Sequence, residues 1–388
     1  MWNPEPTSLR SGVDDGSDVD LTVLGLFPSF GPDKIGGIET SARVAWQAIT
    51  DITIRGHSAS TMGSVDEPQS SFLFCYGGKG DTNKHDRDEN SICVGSKPMA
   101  AFRAVQRQWN ANVVLIWHLH LLKLLPLFRI RGAKIVVFLH GIEVWKRQDV
   151  FTRLLLRRVN LFLSNSDYTW QHFLTFHPQL QSISQRTVHL GVGVPLAAHV
   201  PITPPDHRPA VLMIGRLHRG EDYKGHREMI RAWPLVKRQI PDAQLWIVGS
   251  GDLQGDLEKI VQAHGLTSCV HFCGRLPDDE KEKLLLRCRC LALPSRGEGF
   301  GLVYLEAMRL GRPCLVSTLD AGREVVNPPE AGLAANPENP QDLSEAVCRL
   351  LKLGPEWKQW SHQAQKRYEN QFTAVQFQRR LVSALLED

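Results

Sequence analysis

CLALPSRGEGFGLVYLE, residues 290–306, carries a short apolar run into a glycine-rich turn and out into an amphipathic stretch. Cys290–Leu293 reads as a buried strand, Pro294 ends it, and a helix opens near Gly301. A strand that turns through glycines into a helix aims unpaired backbone N–H groups and the positive end of the helix dipole at an anion, typically a phosphate. Glu298 lies in the turn and Glu306 about two helical turns further on. Two carboxylates so spaced can reach different parts of one extended ligand, Glu306 accepting from ribose hydroxyls in the manner of acidic residues in dinucleotide folds. A capping carboxylate and a helix-surface glutamate would read the same way in isolation.

Working outward, short apolar runs alternate with helical stretches over the whole chain. The strands expected in the second half are Ala210–Ile214, Gln244–Val248, Val270–Cys273, Cys290–Leu293, Cys314–Ser317 and Leu333–Ala335. Between them fall helices at Lys224–Gln239, Leu253–His264, Asp279–Arg287, Leu302–Leu310 and Pro340–Leu353, with one or two more from Trp357 to Leu386. The first half predicts strands at Leu21–Phe27, Phe72–Cys75, Val113–Trp117, Lys134–Leu139 and Leu161–Ser164. Helices there span Thr40–Ile49, Pro98–Trp109, Leu119–Ile130, Val150–Val159 and Tyr168–His177. This alternation signals parallel α/β architecture, and 388 residues is about two domains' worth. The expected division is an N-terminal extension (1–20), a first domain (21–193), a proline-rich linker (194–209), a second domain (210–370) and a C-terminal helix (371–388) crossing back to the first domain. Two such halves place a ligand crevice at the carboxyl ends of both sheets.

Other candidate residues cluster at strand ends. GRLHRGEDYKGH, residues 215–226, follows a strand and supplies Gly215, Arg216 and Lys224, cations able to neutralise a diphosphate or, equally, to sit on the surface. Gly249 opens a second glycine turn after LWIV, a weak signal alone. In the first half, Gly36 and Gly37 precede a helix and permit close backbone approach to a ligand. His140 ends the strand KIVVFL, a position suited to hydrogen bonding or acid–base work, or to a satisfied core histidine. His118 and His120 bracket another strand end without a third ligand, so no metal is assigned.

Composition narrows the classes. Hydrophobic content of 42% and charged content of 22% are ordinary for a globular protein, and a net charge of +4 does not announce a nucleic-acid binder. The charge is uneven: residues 97–160 hold twelve basic side chains against Glu143 and Asp149, a patch fit either for an anionic membrane surface or for a solvated helix face. The eight cysteines lack zinc-site spacing and fall in strand-like runs, as reduced thiols do. Residues 1–20 lack the basic and apolar regions of a signal peptide and read as a disordered acidic extension. The apolar stretch 113–128 is interrupted by His118, His120, Lys123 and Pro126, so any membrane contact is expected to be peripheral, and the reduced thiols make the cytoplasm the expected location.

Taken together these residues resemble family 4 of the retaining glycosyltransferases, with the GT-B fold of two Rossmann-like domains whose parallel sheets face a central cleft. EGFGLVYLEAMRLGRPCLVS (298–317) is similar to that family's Glu-x7-Glu motif, and Gly215–Arg216 with Lys224–Gly225 to its donor-phosphate pair. GGIE (36–39), FLHG (138–141) and SNSDYT (164–169) are similar to its first-domain signposts. The resemblance implies a nucleotide-diphosphate sugar as co-substrate, a glycan, lipid-linked or small-molecule acceptor, and no metal or other cofactor. It implies that Arg216 and Lys224 bind the diphosphate, Glu306 the ribose and Glu298 the transferred sugar. The amides of Phe300, Gly301 and Leu302 would grip sugar hydroxyls or phosphate. Gly36 and Gly37 would approach phosphate and acceptor, His140 the sugar, and Arg275 and Leu276 would frame the base. Asp320-Ala-Gly-Arg-Glu324 departs from the family's usual glycine pair, and Arg323 is expected to alter what surrounds donor or acceptor. A nucleotide-sugar epimerase, a phosphorylase and a catalytically silent sugar-nucleotide-binding protein are the alternatives on this scaffold.

Overall fold

A computed structural model of the chain describes residues 21–28, 36–60, 71–76, 91–95, 97–105, 108–194 and 202–387. The expected extension 1–20, the loop 77–90 and residues 195–201 of the expected linker lie outside them. The first sheet contains β1 (Val23–Pro28), β2 (Phe72–Tyr76), β3 (Ser91–Val94), β4 (Val113–Ile116), β5 (Lys134–Leu139), β6 (Leu161–Ser164) and β7 (Ser184–Thr187). Its order is β3-β2-β1-β4-β5-β6-β7, with every pairing parallel. The second sheet contains β8 (Ala210–Ile214), β9 (Gln244–Val248), β10 (Val270–Gly274), β11 (Cys290–Leu293), β12 (Cys314–Ser317) and β13 (Gly332–Ala335). Its order, β10-β9-β8-β11-β12-β13, repeats the winding of the first. In both sheets the order reverses beside the first strand, at β1/β4 and at β8/β11, and there the helices diverge to opposite faces and open a crevice.

The central strands are buried on both faces: β4, β6, β11 and β12 are buried at every residue. Strands packed on both faces by helices become continuous apolar runs, which is why their limits were legible. Two edge strands, β3 and β7, were not anticipated. β3 buries only Val94, and β7 (SQRT) has no buried residue, so neither carries an apolar signal. The helix expected at Leu119–Ile130 is instead a 3-10 segment over Leu119–Leu127. Pro126 inside it has no amide to donate, and the His118 side chain accepts the His120 amide at 3.2 Å across its first turn.

The first domain's helices are α1 (Gly37–Ser60), α2 (Lys97–Val105), α3 (Val150–Leu156) and α4 (Asp167–Phe176). In the second, α5 (His226–Gln239), α6 (Gln254–Ala263), α7 (Asp278–Arg287), α8 (Leu302–Arg309), α9 (Gly322–Val326) and α10 (Pro340–Leu350) surround the sheet. The final helices, α11 (Pro355–Gln371) and α12 (Ala374–Leu386), span the two lobes. The chain after β7 adds its backbone to their junction: the Val192 amide donates to the Phe372 carbonyl (3.0 Å) and Ala374 to Gly193 (3.0 Å). The Tyr368 hydroxyl bonds the Val192 carbonyl at 2.9 Å. Gly191 is obligatory here, since a Cβ would lie 2.2 Å from the Thr373 carbonyl oxygen. Phe377 of α12 is fully buried, its ring 6.2 Å from that of Trp117 in the first domain.

Two histidines are buried in this framework. Burial, helped by nearby Lys224 and opposed by Asp222, pulls the His226 imidazole down to about 4. Burial and neighbouring His118, opposed by a bond to the Trp117 carbonyl, pull His140 down to about 3. Both fold as neutral rings.

Two outcomes follow from this packing. Phe377→Ala is expected to cost about 3–5 kcal/mol in urea unfolding, as for other buried phenylalanines; an unchanged midpoint would mean α12 is not docked. Acidification acts on the histidines. The unfolded chain takes up protons near the ordinary 6.5, which the folded rings refuse until pH reaches about 4 and about 3. Their contribution is therefore complete above pH 6.5 and is lost as pH falls below it, at about 1.4 kcal/mol per pH unit per histidine. His226→Gln should remove one proton's worth of that slope in urea titrations at stepped pH. An identical slope in the variant would contradict the buried neutral state.

Candidate active site at the facing strand ends

The two switch points bring together residues that are far apart in sequence. From the second domain, β8 ends at Gly215 and Arg216, and β11 ends at the turn leading to Glu298. The Lys224 stem and the His226 ring lie against Gly215, at 3.2 and 3.6 Å from where a Cβ would be. Gly249 backs the same point: a Cβ there would fall 1.8 Å from the Gly215 carbonyl oxygen. The Leu217 amide donates to Ser250 at 3.1 Å and Leu253 to Leu217 at 2.7 Å, fixing the loop that carries Arg216.

The charges of this loop meet those of the 295–301 turn. Lys224 Nζ lies 3.7 Å from Glu298 Oε2 and 3.5 Å from Glu221 Oε2, and all three side chains are largely buried. Glu221 Oε1 also takes Arg216 at 2.6 Å, so one carboxylate bridges both cations. Arg296 ties the loops by donating its amide to the Tyr223 carbonyl at 2.7 Å. Tyr223 caps the group; burial, then the charges of Glu298 and Glu221, push its hydroxyl up. Beyond the turn, Gly301 adopts a left-handed φ of 86° against the Tyr304 ring, and α8 starts there with no side-chain cap. Its first amides thus face the turn. On α8, Glu306 is paired with Lys281 of α7 at 2.9 Å. Burial opposes the charge on Lys281, but Glu306 and Asp278 prevail and raise its pKa. Beneath Glu298, Asp320 is buried. Burial and the neighbouring Glu298 push its carboxyl well above the usual range, against hydrogen bonds from the Gly322 and Glu298 amides and Ser295.

The first domain supplies the opposite wall. His140 Nε2 lies 2.6 Å from the Trp117 carbonyl, an oxygen that can only accept. Nε2 therefore carries the proton and Nδ1 keeps its lone pair. Sequence reasoning missed Glu143, which holds this turn by accepting the amides of His140 (2.7 Å) and Gly141 (3.1 Å); burial raises its pKa. Gly37 faces α8, with Leu302 3.5 Å from where its Cβ would be, and the Glu39 carboxylate folds back over Gly36.

The walls touch. A Cβ on Gly299 would fall 2.1 Å from the His140 carbonyl oxygen, and one on Gly141 would fall 3.0 Å from Gly299 Cα. The Gly299 carbonyl accepts from Ser166 Oγ at 2.9 Å and Thr169 Oγ1 at 3.4 Å. At the α4 N-terminus the amides of Asp167 and Tyr168 donate to Glu324 at 2.8 and 2.6 Å, and His189 lies 3.6 Å from the same carboxylate. Burial would raise Glu324, but His189 and the two amides outweigh it and the pKa falls. In the segment 320–324, where Arg323 had drawn attention, Arg323 is exposed and Glu324 makes the contact between lobes. The Phe300 side chain turns into the core toward His189 and Phe372, leaving its backbone in the turn. Arg275 is exposed and Leu276 half-buried just after β10, at the same sheet's edge. Glu221, Lys281, Asp320 and Glu324 carried no spacing signal. Glu221, Asp320 and Glu324 stood inside segments already of interest, and Lys281 did not.

Comparison with known proteins agrees with this architecture. Residues 208–353 match the family model described as glycosyl transferases group 1. A GDP-mannose-dependent monoacylated alpha-(1-6)-phosphatidylinositol monomannoside mannosyltransferase of Corynebacterium glutamicum is 30% identical over 246 residues, 57% of this chain and 61% of that protein. Glycogen synthase of Mycobacterium tuberculosis is 34% identical over 157 residues, 40% of this chain and 36% of that protein. The chain therefore spans about three fifths of the first curated relative and little more than a third of the second. Among solved structures, sucrose-phosphate synthase from Thermosynechococcus elongatus superposes with a TM-score of 0.71 at 20% identity, covering 93% of this chain and 98% of that one. HepE from Anabaena, in complex with UDP and glucose, gives 0.69 at 17% identity, covering 94% and 99%. The chain thus has the two-domain GT-B fold, and its residues 208–353 are similar to the glycosyl transferases group 1.

Proposed function

We propose that the chain is a retaining glycosyltransferase that moves a sugar from a nucleotide-diphosphate sugar to a glycan, lipid-linked or small-molecule acceptor. The observation that carries this reading is the convergence of Arg216, Lys224 and Glu298 beside the uncapped start of α8. As the bond to the sugar breaks, negative charge accumulates on the departing diphosphate. Two fixed cations and a helix N-terminus aimed there stabilise that charge more in the transition state than in the ground state. In this reading the neutralisation falls to side chains of the protein, with no metal ion assigned a role. Glu306, already held by Lys281, would receive the ribose hydroxyls, and the 297–301 turn the sugar. The nucleotide in HepE and the lipid acceptor named for the corynebacterial relative support the two classes of substrate.

His140 acquires a defined part. With its proton committed to the Trp117 carbonyl and its pKa pulled down to about 3, it accepts a hydrogen bond from a sugar hydroxyl through Nδ1 and carries no proton to donate at neutral pH. Closure of the walls at Gly141 and Gly299 keeps water from the reacting carbon, limiting hydrolysis of the donor.

A thermal-shift screen with UDP-, GDP- and ADP-sugars should raise the melting temperature with one nucleotide class, because a ligand of the native state stabilises it. With that donor, Lys224→Ala and Glu298→Ala are each expected to lower kcat by about two to three orders of magnitude while the fold survives. Full transfer by either variant would overturn the site. Binding and thermal shift without transfer to any acceptor would favour the silent binding protein. The rate should show no ionisation between pH 5 and 8 that His140→Gln abolishes. Such a limb would show that His140 does titrate.

A further inference from the structure

One segment of the first domain is both basic and rich in exposed apolar side chains. Among the described residues eleven large apolar side chains stand exposed, and seven of them fall within 97–160, the 64-residue segment with twelve basic and two acidic side chains. On α3, Val150, Phe151 and Leu154 are 63%, 48% and 55% exposed, while Thr152, Leu155 and Leu156 on the other side are buried. Val150 and Phe151 share a face with Leu154 one turn on, so the exposed side chains make a continuous ridge. Basic residues bracket it: Lys146 and Arg147 precede the helix, Arg157 and Arg158 follow it, and all four are exposed. None of the four has a carboxylate within ion-pair distance among the described residues. The nearby Lys123 is by contrast paired with Asp149 at 2.9 Å. On α2, which like α3 packs on the 3-10 segment Leu119–Leu127, Met99 and Phe102 are exposed as well.

Exposed apolar side chains have no reason to gather on a solvated charged face, and a purely electrostatic contact would not need them. An apolar ridge with unpaired cations at both ends matches the boundary of an anionic bilayer, where the side chains enter the acyl region and the cations meet headgroup phosphates. No helix among the described residues is long and apolar enough to cross a membrane, so the contact is at the surface. We propose that the α2–α3 face docks the first domain on anionic phospholipid, with Val150, Phe151 and Leu154 as the inserting ridge. Ile142, 49% exposed and next to Gly141 at the point where the lobes touch, extends the same segment to the mouth of the cleft. A docked molecule would therefore present its cleft to the bilayer. The proposal stands apart from the transfer reaction.

The test is co-sedimentation of the full chain with phosphatidylcholine vesicles, with and without phosphatidylglycerol. The chain should bind only the anionic vesicles, and weaken as salt rises through the screening range. Val150→Ser/Phe151→Ser/Leu154→Ser, which leaves the charge unchanged, should weaken binding about tenfold or more, since each buried apolar side chain adds to the partition. Arg157→Glu/Arg158→Glu should do the same. Leu353→Ser, an exposed apolar residue of the second domain, should bind as the parent does. The substituted side chains are exposed, and an unchanged melting temperature certifies the fold of each variant. Equal binding to neutral vesicles, no binding to either, or undiminished binding by the triple variant would each overturn the proposal. Loss on charge reversal with full retention by the triple variant would show adsorption by charge alone and would overturn the inserting ridge.

Discussion

The carbonyl of Gly299 is claimed by two hydroxyls of the opposite domain, Ser166 and Thr169, while its Cα rests against Gly141. Everything at the cleft depends on this contact. The turn bearing Glu298 and the start of α8 belongs to the second sheet, yet its position is set by the first. A side chain at either glycine would wedge the walls apart by the width of a methyl group. The second clasp, Glu324 on the N-terminal amides of α4, uses the same physics: orphan amides and a positive helix end welcome a carboxylate. Under the proposed reading, two lobes joined this way, and again through α12, hold an anion site in which the largely buried Lys224 acts more strongly than it would in water.

Such a site cannot leave its charges bare. Glu221 bridges Arg216 and Lys224, and Lys281 holds Glu306, so each ion has a counter-ion within the protein. Lys224 and Lys281 are largely buried, and a cation so placed without a partner would be costly; their pairs remove that cost, whereas Arg216 stays exposed. Under the proposed reading the incoming diphosphate exchanges one anion for another at Arg216 and Lys224. Its net gain is then smaller than two naked cations would suggest, which keeps the product able to leave. The neutral ring of His140 follows the same economy, a buried group without a counter-ion kept uncharged, while burial and the neighbouring Glu298 push the Asp320 carboxyl well above its usual range.

Much of the fold was legible from apolar runs. Lys134–Leu139, Leu161–Ser164, Ala210–Ile214, Gln244–Val248, Cys290–Leu293 and Cys314–Ser317 appear with the limits expected, because strands covered on both faces must be apolar along their length. β3 and β7 escaped notice, since an edge strand needs only its backbone to pair. The stretch after His118 looked helical from its leucines, yet Pro126 and the His118 cap divert it into a 3-10 path.

The amino-acid order by itself determined the local devices: strand, glycine turn and helix start, with Arg216, Lys224, Glu298 and Glu306 at loop ends and helix faces. These are set by steric and dipolar preferences acting over a few residues. Only tertiary structure decided which charges meet. Lys281 and Glu306 are brought together by the packing of α7 and α8, and Glu324 reaches amides more than 150 positions away because two separately wound sheets face each other. No spacing in the chain encodes such pairs, since they arise from how whole layers are stacked and not from the path of any one segment.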